Sequence, residues 1–596
     1  MPYKHLIPVY TKNSESLKNR FFLGSWCYLY ERKNIFDKYY KNTLDYHWND
    51  KKKLKRDFKY LNILNERLLK ILSNELNKIH KTKKGLKYWR IILYPWLSEY
   101  SSIIFDRWET CNYFQKKHKN KQFYFLDISP DNYHYYILDH DNFAPISSDN
   151  HYWNHLIFKR VFKYLNNKNI FFKKKNINKF QVVPKKISKS LNFLKFVDYC
   201  LSHIAIRFNK VIFETFYFPT QDFLKLCLKN FLVPARFSTF FNFKPYKKCI
   251  DKKKRLLLKN SLKKVFNDKK TFESFLFLNL SEDLPTTYLE NFLAIKKHVK
   301  KFAKTKKIIF SMHHIDDNDY FKIFVAEACD LGSKLVISDH GGGFKYDLNM
   351  FDDHHHKIAD KKITWDKTTK NKIYLNLSPT LPIIKEQKYE KSYKKFLTIM
   401  SWESSRYQRR IQSAPHLNDD LNDFLEIINF VKSLKKNIKQ NIKFRLKDNG
   451  IAQSINSNQI FADLFGENLI DKSDSKNIFL KTVKSSKLVL MTYPSTSLSE
   501  VLYLNVPTIL ICKRKIWMLK KSSEKIINIL KKNKMFFETF EEAKKHIEKI
   551  WDNPDLWWSS KKVQAARKIY LNNFFKIEEN WFQNWNNQIF NLKSDL

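Results

Sequence analysis

The chain has 596 residues and a net charge of +51, from 110 Lys and Arg against 59 Asp and Glu. Its length predicts two to four domains, and its hydrophobic fraction of 43% excludes an intrinsically disordered chain. No apolar run reaches the roughly 18 residues of a membrane-spanning helix, and the seven scattered cysteines argue against a disulfide framework or a zinc ribbon.

The large positive charge has two interpretations. Its excess is mostly Lys, in a chain rich in Asn, Ile, Phe and Tyr, and an A/T-rich genome would produce that bias without any functional partner. The alternative is attraction to polyanions such as an anionic membrane face, nucleic acid or phosphate-bearing substrates. Residues 155–270 hold few acids and are the best candidate for such a surface. Neither a Walker A sequence nor a zinc-finger spacing is found, so nucleic acid is not an expected partner.

The N-terminal part of the chain is predicted to be helical and rich in aromatic residues. Leucines at three- and four-residue spacing indicate an amphipathic helix within 54–80. Residues 85–108 predict a second helix that bends or begins near Pro95. The basic stretch that follows mixes strand-like and helical pieces.

Alternation of short apolar strands and amphipathic helices begins near residue 305. Strands are predicted at 307–312 and 334–338, joined by a helix that has Phe321 and Phe324 on one face and ends at Gly332. Strand, helix and strand within about 30 residues form a βαβ unit with a parallel sheet.

A second series of the same kind begins near residue 395. A capping box formed by Thr539 and Glu542 predicts a later helix. Residues 366–394, between the two series, have little periodicity and predict a linker. The second series has predicted strands at 396–400, 442–446, 487–491 and 508–512, and predicted helices around 421–431 and 497–504.

These patterns predict an α/β fold of the GT-B type, in which two Rossmann-like lobes with parallel sheets carry extra N-terminal and C-terminal helices. Ligands are expected between the lobes, at the carboxyl ends of the strands. The expected organisation is a helical and aromatic part of the first lobe at 1–150, the remainder of this acceptor-side lobe at 151–365, the linker at 366–394, a nucleotide-donor lobe at 395–535 and C-terminal helices that fold back at 536–596.

Three of the eight glycines, Gly341, Gly342 and Gly343, follow directly after a predicted strand. Glycine lets the backbone approach a ligand, and consecutive N–H groups can form an anion-binding nest. A tight turn without a ligand is the alternative. His340 is predicted to be a general base, or a donor to a phosphate or sugar oxygen, with Asp339 as the second candidate base. A histidine that only shapes the loop is the alternative to that role.

A hydroxyl-rich turn follows the predicted strand 487–491. Ser495, Thr496 and Ser497 open a predicted helix and therefore predict a phosphate site. Glu500, one turn further on, is a candidate to accept hydrogen bonds from a ribose. Helix capping alone would also explain the run of hydroxyls.

Other polar residues are predicted near the same crevice. Arg445 and Lys447 end a neighbouring strand and are predicted to neutralise a diphosphate leaving group, unless they are ordinary solvated cations. Glu403 and Arg406 follow the first strand of the second series and are predicted to face the crevice. Trp26 is a further candidate to line it, although packing explains this residue equally well.

Two acidic motifs raise the question of a metal. The triplet Asp317-Asn318-Asp319 has the D-x-D pattern that holds a metal with a donor diphosphate, but its place before a helix favours a cap. Residues 352–356 (DDHHH) contain possible ligands, but we favour a solvated or substrate-edge loop. We therefore expect neither a metal nor a cofactor.

Short motifs spread along the chain are Phe22-Leu23-Gly24-Ser25-Trp26-Cys27, Leu284-Pro285, Tyr288-Leu289-Glu290, His340-Gly341-Gly342-Gly343, Ile358-Ala359-Asp360, Thr364-Trp365 and Tyr493-Pro494-Ser495-Thr496-Ser497. Together they resemble, from end to end, a family of transferases encoded in O-antigen and other surface-carbohydrate gene clusters. The C-terminal half is similar to GT-B surface-polysaccharide enzymes, including capsule and Kdo-type transferases and polyol-phosphate transferases. One position departs from the pattern of the family: Asp339 precedes the histidine, where the resemblance leads us to expect Gln.

The resemblance implies a metal-independent glycosyltransferase that moves a sugar from a nucleotide-activated donor to a surface glycan, in O-antigen, capsule or related polysaccharide biosynthesis. A sugar-nucleotide epimerase or a polyol-phosphate transferase of the same fold is an alternative, and so, in another class, is a non-catalytic polyanion- or membrane-binding protein. Expected partners are a nucleotide sugar, a glycan or lipid-linked acceptor and an anionic membrane surface. The start of the chain lacks the apolar region of an export signal, so we expect a cytoplasmic location, peripheral on the inner membrane face.

Overall fold

The computed structural model of the chain describes residues 4–11, 14, 17–28, 30, 42–131, 133–175, 177, 179–182, 193–238, 240–242, 250–265, 270–342, 345–366, 373–385, 394–447, 456–471 and 476–594. Parallel sheets flanked by helices organise these residues. Central strands such as Ile308–Ser311 are buried along their whole length, as expected when helices cover both faces of a parallel sheet. Within the described part of the chain, no helix combines the length and apolar character needed to cross a bilayer.

The N-terminal unit contains a four-stranded parallel sheet of order β2-β1-β3-β4, which the sequence analysis did not predict. Its strands are only three to five residues long, and helices separate the second, third and fourth of them in sequence, so their local pattern is weak. The second predicted helix continues through Pro95, so the prediction of a start there was wrong. The elements are β1 (Lys4–Ile7), β2 (Arg20–Phe22), α1 (Lys51–His80), α2 (Leu86–Lys117), β3 (Phe123–Asp127), α3 (His140–Asp149), α4 (His151–Leu165) and β4 (Ile170–Lys174).

The first lobe contains a five-stranded parallel sheet of order β5-β6-β7-β8-β9. The predicted βαβ unit is confirmed as β6, α11 and β7, and Gly332 after α11 has a φ of 93°, in the left-handed region that favours glycine. The edge strand β9 comes from the segment predicted as a linker. The elements are α5 (Phe193–Phe208), β5 (Val211–Glu214), α6 (Thr220–Lys229), α7 (Lys252–Val265), α8 (Phe272–Asp283), α9 (Phe292–Ala303), β6 (Ile308–Ser311), α10 (His314–Asp317), α11 (Asp319–Asp330), β7 (Lys334–Ser338), α12 (Met350–Ile358), β8 (Lys361–Thr364) and β9 (Tyr374–Asn376).

The second lobe contains a five-stranded parallel sheet of order β11-β10-β12-β13-β14. Its strands and helices confirm the predicted second series, and Thr539 caps α19 by accepting a hydrogen bond from the Glu542 N–H at 3.3 Å. The elements are β10 (Phe396–Trp402), α13 (Leu417–Ser433), α14 (Lys436–Lys439), β11 (Ile442–Lys447), α15 (Ser457–Phe465), α16 (Lys476–Lys484), β12 (Ser486–Met491), α17 (Thr496–Tyr503), β13 (Thr508–Ile511), α18 (Glu524–Lys532), β14 (Phe536–Phe537) and α19 (Phe540–Ile550).

The last helices, α20 (Pro554–Trp558), α21 (Lys561–Phe574) and α22 (Trp581–Ser594), return to the first lobe. The indole N–H of Trp585 donates to the Ser378 carbonyl at 3.0 Å, and the Asn230 amide donates to Asn586 Oδ1 at 3.0 Å. The predicted α/β fold class with two Rossmann-like lobes and C-terminal helices is therefore confirmed, and the N-terminal part adds a third parallel sheet to its helices.

Candidate functional site

The loop after β7 of the first lobe contacts the turn before α17 of the second lobe. The Gly342 N–H donates to Thr496 Oγ1 at 3.2 Å, and the Tyr346 hydroxyl donates to the Pro494 carbonyl at 3.3 Å. Tyr346 also forms an antiparallel bridge with Leu519. The glycine loop and the hydroxyl-rich turn, which are far apart in sequence, therefore form one site between the lobes. Gly343 lies outside the described residues.

Close packing explains why glycine occupies this loop. A Cβ atom on Gly342 would lie 2.9 Å from the Trp365 ring, 3.1 Å from the Phe575 ring and 3.3 Å from the Phe574 carbonyl oxygen. A Cβ atom on Gly341 would lie 2.8 Å from Thr496 Oγ1. Both glycines therefore permit the approach of the two lobes.

We expect Gly342→Ala to lower the free energy of unfolding by about 1–3 kcal/mol, because the added methyl group overpacks a site closed by two rings and a backbone carbonyl. Gly85→Ala is the matched control, since no atom lies within 4 Å of a Cβ placed there. Ala is less favourable than Gly at a helix N-cap, so its cost should stay below about 1 kcal/mol. Urea unfolding of both variants checks the prediction, and equal losses would contradict it.

Asp339 links the loop that follows β7 to strand β8 through hydrogen bonds. It accepts hydrogen bonds from Lys345 Nζ at 3.1 Å and from the Thr364 hydroxyl at 3.1 Å. Although burial alone raises the pKa of a carboxyl group, the neighbouring cations Lys345 and Lys362 lower the pKa of Asp339 to about 2. Such a carboxylate is a weak base at neutral pH, which counts against Asp339 as a general base.

His340 is exposed on this loop, and its ring centroid lies 5.5 Å from that of His313. Although part of the residue is open to solvent, the surrounding protein partly desolvates its ring, which lowers the pKa of His340 against the opposing effect of the Asp316 charge. The His313 ring has the opposite shift. Its Nδ1 lies 3.1 Å from Asp317 Oδ2, and this contact raises the pKa of His313 to about 9. Near neutral pH the pair therefore consists of a neutral and a cationic imidazole, which suits a base and an acid.

Carboxylates surround this histidine pair. His355 Nε2 lies 2.7 Å from Asp316 Oδ1, and His314 Nδ1 lies 3.1 Å from Glu214 Oε1. Glu214 is fully buried and accepts a hydrogen bond from the Ser311 hydroxyl at 2.8 Å. The sequence analysis named His355 only as part of the 352–356 motif, and it did not propose His313, His314, Asp316 or Glu214 as site residues. The signal available was the pair of histidines directly after the apolar strand β6, in the position that His340 has after β7.

The two acidic motifs lie at or within helices of the first lobe. The D-x-D triplet does cap α11, as favoured, but through Asn318, which accepts from the Phe321 N–H at 2.9 Å. Residues 352–356 lie in α12, so the preference for a solvated loop was wrong. His354 is fully buried there and stacks on Tyr94 at 5.0 Å, because one face of the helix packs into the core. Among the described residues, no group of three or more His, Cys, Asp or Glu is placed to hold a metal ion.

The turn before α17 presents hydroxyl groups at a helix N-terminus. Ser495 is the N-cap residue, and its side chain makes no capping hydrogen bond. Ser495, Thr496 and Ser497 are half-buried, and Glu500 is half-buried one turn further on. The first N–H groups of α17 and these hydroxyls are suited to an anion.

The two predicted cations lie on β11. Arg445 Nη1 is 2.7 Å from Asp471 Oδ2, and its guanidinium lies 5.4 Å from the centroid of the Phe479 ring. Arg445 is therefore an ion-paired residue rather than a solvated cation, while its contact with a phosphate stays a prediction. Lys447 ends the strand opposite Trp402, and its side chain lies outside the described part of the structure.

The other predicted crevice residues are buried where the second lobe meets neighbouring elements. Glu403 Oε1 accepts from the Asn456 N–H at 3.1 Å, at the start of α15. Arg406 Nη1 donates to the Tyr28 carbonyl at 2.9 Å, and the Trp26 indole donates to the Pro8 carbonyl at 2.9 Å. Arg406 Nη1 also lies 3.5 Å from the Trp26 carbonyl oxygen, so Arg406 joins the second lobe to the N-terminal unit.

A family model described as "LIC12162 family transferase" matches residues 6–589, so the chain belongs to that family and is a transferase. This match confirms the transferase resemblance carried by the motifs. A comparison with curated proteins found no match.

Solved structures similar to the chain include S. aureus MnaA in a co-structure with UDP and a variant of the wall teichoic acid polymerase TagF. MnaA is 11% identical, with 49% of this chain and 80% of that chain covered and a TM-score of 0.31. TagF is 9% identical, with 67% and 93% covered and a TM-score of 0.31. A likeness at this level carries no argument about substrate.

Proposed function

We propose that this transferase moves a sugar from a nucleotide-activated donor to a surface glycan, in O-antigen, capsule or related polysaccharide biosynthesis. The observation that carries the proposal is the contact between Gly342 and Thr496. It sets the His313–His340 pair beside the N-terminus of α17, so that groups suited to acid–base chemistry adjoin groups suited to a phosphate.

The proposed transfer forms one bond and breaks another at the anomeric carbon. The acceptor hydroxyl gives its proton to neutral His340 as its oxygen bonds to that carbon. The bond from the carbon to the donor phosphate oxygen breaks, and the electron pair leaves with the nucleotide. Cationic His313 and the first N–H groups of α17 offset the charge that develops on the phosphate. This scheme uses no metal and no cofactor.

The proposal includes a location and partners. The substrates are a nucleotide sugar and a glycan or lipid-linked acceptor, and the protein acts in the cytoplasm, peripheral on the inner membrane face. Basic residues in the 155–270 segment support attraction to an anionic surface.

Product analysis tests the proposed reaction. The protein is incubated with a panel of nucleotide sugars and glycan acceptors, and the products are separated by mass. A glycan extended by one sugar supports the proposal. An epimerised nucleotide sugar, or a phosphodiester formed from a nucleotide-activated polyol, would replace it with one of the alternatives in the same fold. The non-catalytic alternative would be favoured if the protein formed no product with any substrate, and if variants of the candidate site still bound polyanions normally.

We expect Arg445→Ala to weaken binding of the donor nucleotide by about 1.5–3 kcal/mol, the size of a charge-assisted hydrogen bond. Asp471→Asn is the matched control, because it removes the negative partner of Arg445 and keeps the guanidinium. This control should bind as well as the unmodified protein or better. Calorimetric titration with a panel of nucleoside diphosphates measures both. Equal weakening in the two variants would show that the ion pair serves the fold instead.

A further inference from the structure

Helix α5 turns its apolar stripe towards solvent. The residues at three- and four-residue spacing along one face are all exposed, while Ser202, Ala205 and Ile206 on the other face are buried. At the two ends of the stripe, Phe193 is 78% exposed and Phe208 is 74% exposed. An amphipathic helix of a soluble protein normally buries such a stripe. The exposed stripe consists of Phe193, Val197, Cys200, Ile204 and Phe208.

The loop after α6 adds a second exposed apolar element. Phe231 is 98% exposed and has a φ of 55°, in the left-handed region that L-residues with a side chain rarely adopt. Because the Phe231 side chain is almost fully exposed, it buries too little surface within the chain to offset the cost of this backbone conformation. Its place at the tip of a tight loop suits a side chain that is buried by a partner.

Hydrogen bonds hold this loop against the end of α5. The Asn209 amide donates to the Val233 carbonyl at 2.9 Å, and the Val233 N–H donates to Asn209 Oδ1 at 2.9 Å. Phe208 and Phe231 therefore lie at one end of the first lobe. We call the exposed stripe of α5 together with Phe231 the α5 surface.

Charge distinguishes the partners that the α5 surface could take. Asp198 accepts hydrogen bonds from the Arg236 and Ser238 N–H groups, whereas Glu214 and Asp222 are buried. The surface therefore combines apolar side chains with cations and presents no exposed acid in this range. The exposed charged residues between 193 and 232 are all basic, namely Lys195, Arg207, Lys210, Lys225 and Lys229.

We infer that the α5 surface docks on an anionic lipid bilayer, where its apolar side chains enter the boundary between headgroups and acyl chains and its lysines contact lipid phosphates. A second copy of the chain fits less well, because a symmetric contact would bring the same basic residues together. The inference deepens the proposed peripheral location and rests on that part of the proposed function, not on the transfer chemistry.

Co-sedimentation with vesicles tests the docking. The full-length protein is mixed with vesicles of phosphatidylcholine alone or of phosphatidylcholine with phosphatidylglycerol. We expect binding to the anionic vesicles only, and weaker binding at high salt because screening shortens the reach of the lysines. The variant Phe208→Ser/Phe231→Ser should bind about tenfold or more weakly, since apolar area contributes directly to interfacial binding. Its thermal unfolding should be unchanged, because both side chains are exposed.

Ile63→Ser and Leu556→Ser are the matched controls, because these side chains are 73% and 74% exposed on other helices. Both should bind vesicles like the unmodified protein. Unchanged binding by the Phe208/Phe231 variant, equal binding to neutral vesicles, or no vesicle binding at all would overturn the inference. So would light scattering that shows a dimer dissociated by the same variant while vesicle binding is retained. Transfer to a soluble acceptor should survive the Phe208/Phe231 substitutions, so failure of docking and failure of the proposed reaction are distinguishable.

Discussion

His340→Ala should lower the turnover number by about 10²–10⁴-fold while affinity for the donor stays nearly unchanged, because the variant lacks the general base but keeps the phosphate turn. The exposed ring lies on the loop that contacts α17, and its lowered pKa keeps it neutral near physiological pH. Steady-state kinetics give the turnover number, and calorimetry with the donor nucleotide gives the affinity.

His203→Ala is the control for this prediction, since His203 is an exposed histidine of the same lobe that contacts only Tyr199 and Phe240 among the ring pairs described. It should leave turnover unchanged. If His340→Ala instead abolished donor binding and turnover at saturation stayed normal, His340 would be a ligand contact. Asp339 would not easily replace it as the base, because its pKa of about 2 makes it a weak proton acceptor.

His313→Gln should lower the turnover number by about 10²–10³-fold, since it removes the cation proposed to face the leaving phosphate. The pH dependence provides a sharper readout. His313 is cationic below its pKa of about 9, so kcat/KM should fall as the pH rises through about 9. His340 must be neutral, so kcat/KM should rise as the pH rises through its lowered pKa, below 6.5. The Gln variant should lose the alkaline fall and keep the acid rise.

Asp317→Asn is the matched variant for that profile, because it keeps the size of the side chain and removes the charge that raises the pKa of His313. The alkaline fall should move towards the ordinary histidine value. The folded pKa of His313 lies above its unfolded value of 6.5, and that of Asp317 lies below its unfolded value of 3.8. This ion pair therefore contributes its full stability between pH 3.8 and 6.5 and loses it as the pH rises through about 9. The stability difference between the two proteins should be larger in that window than at alkaline pH. If the pH dependence of kcat/KM stayed unchanged in Asp317→Asn, the His313–Asp317 ion pair would have no part in the rate.

Local sequence patterns were sufficient to predict the main strands and helices of the two lobes. The apolar runs that became β6, β7, β10, β12 and β13 alternate with helical stripes, and both signals come from residues within one or two turns of each other. Gly332 and Thr539 marked helix ends for the same reason, because a left-handed φ and a capping hydrogen bond are properties of neighbouring residues. The glycine loop and the hydroxyl-rich turn could be identified, since each directly follows a strand.

Only the tertiary structure decided which of these polar residues meet. The N-terminal sheet of β1 to β4 depends on hydrogen bonds between strands of three to five residues, most of which are far apart in sequence, so no local period reveals it. The lowered pKa of His340 depends on the groups that desolvate its ring and on the nearby Asp316 and His313, which the fold brings together and no local spacing records. Glu403 could be read as a crevice residue because it follows a strand, yet it accepts a hydrogen bond at the start of α15. Sequence fixes where a side chain stands along an element, whereas its charge state and partner are set by residues that arrive from elsewhere in the chain.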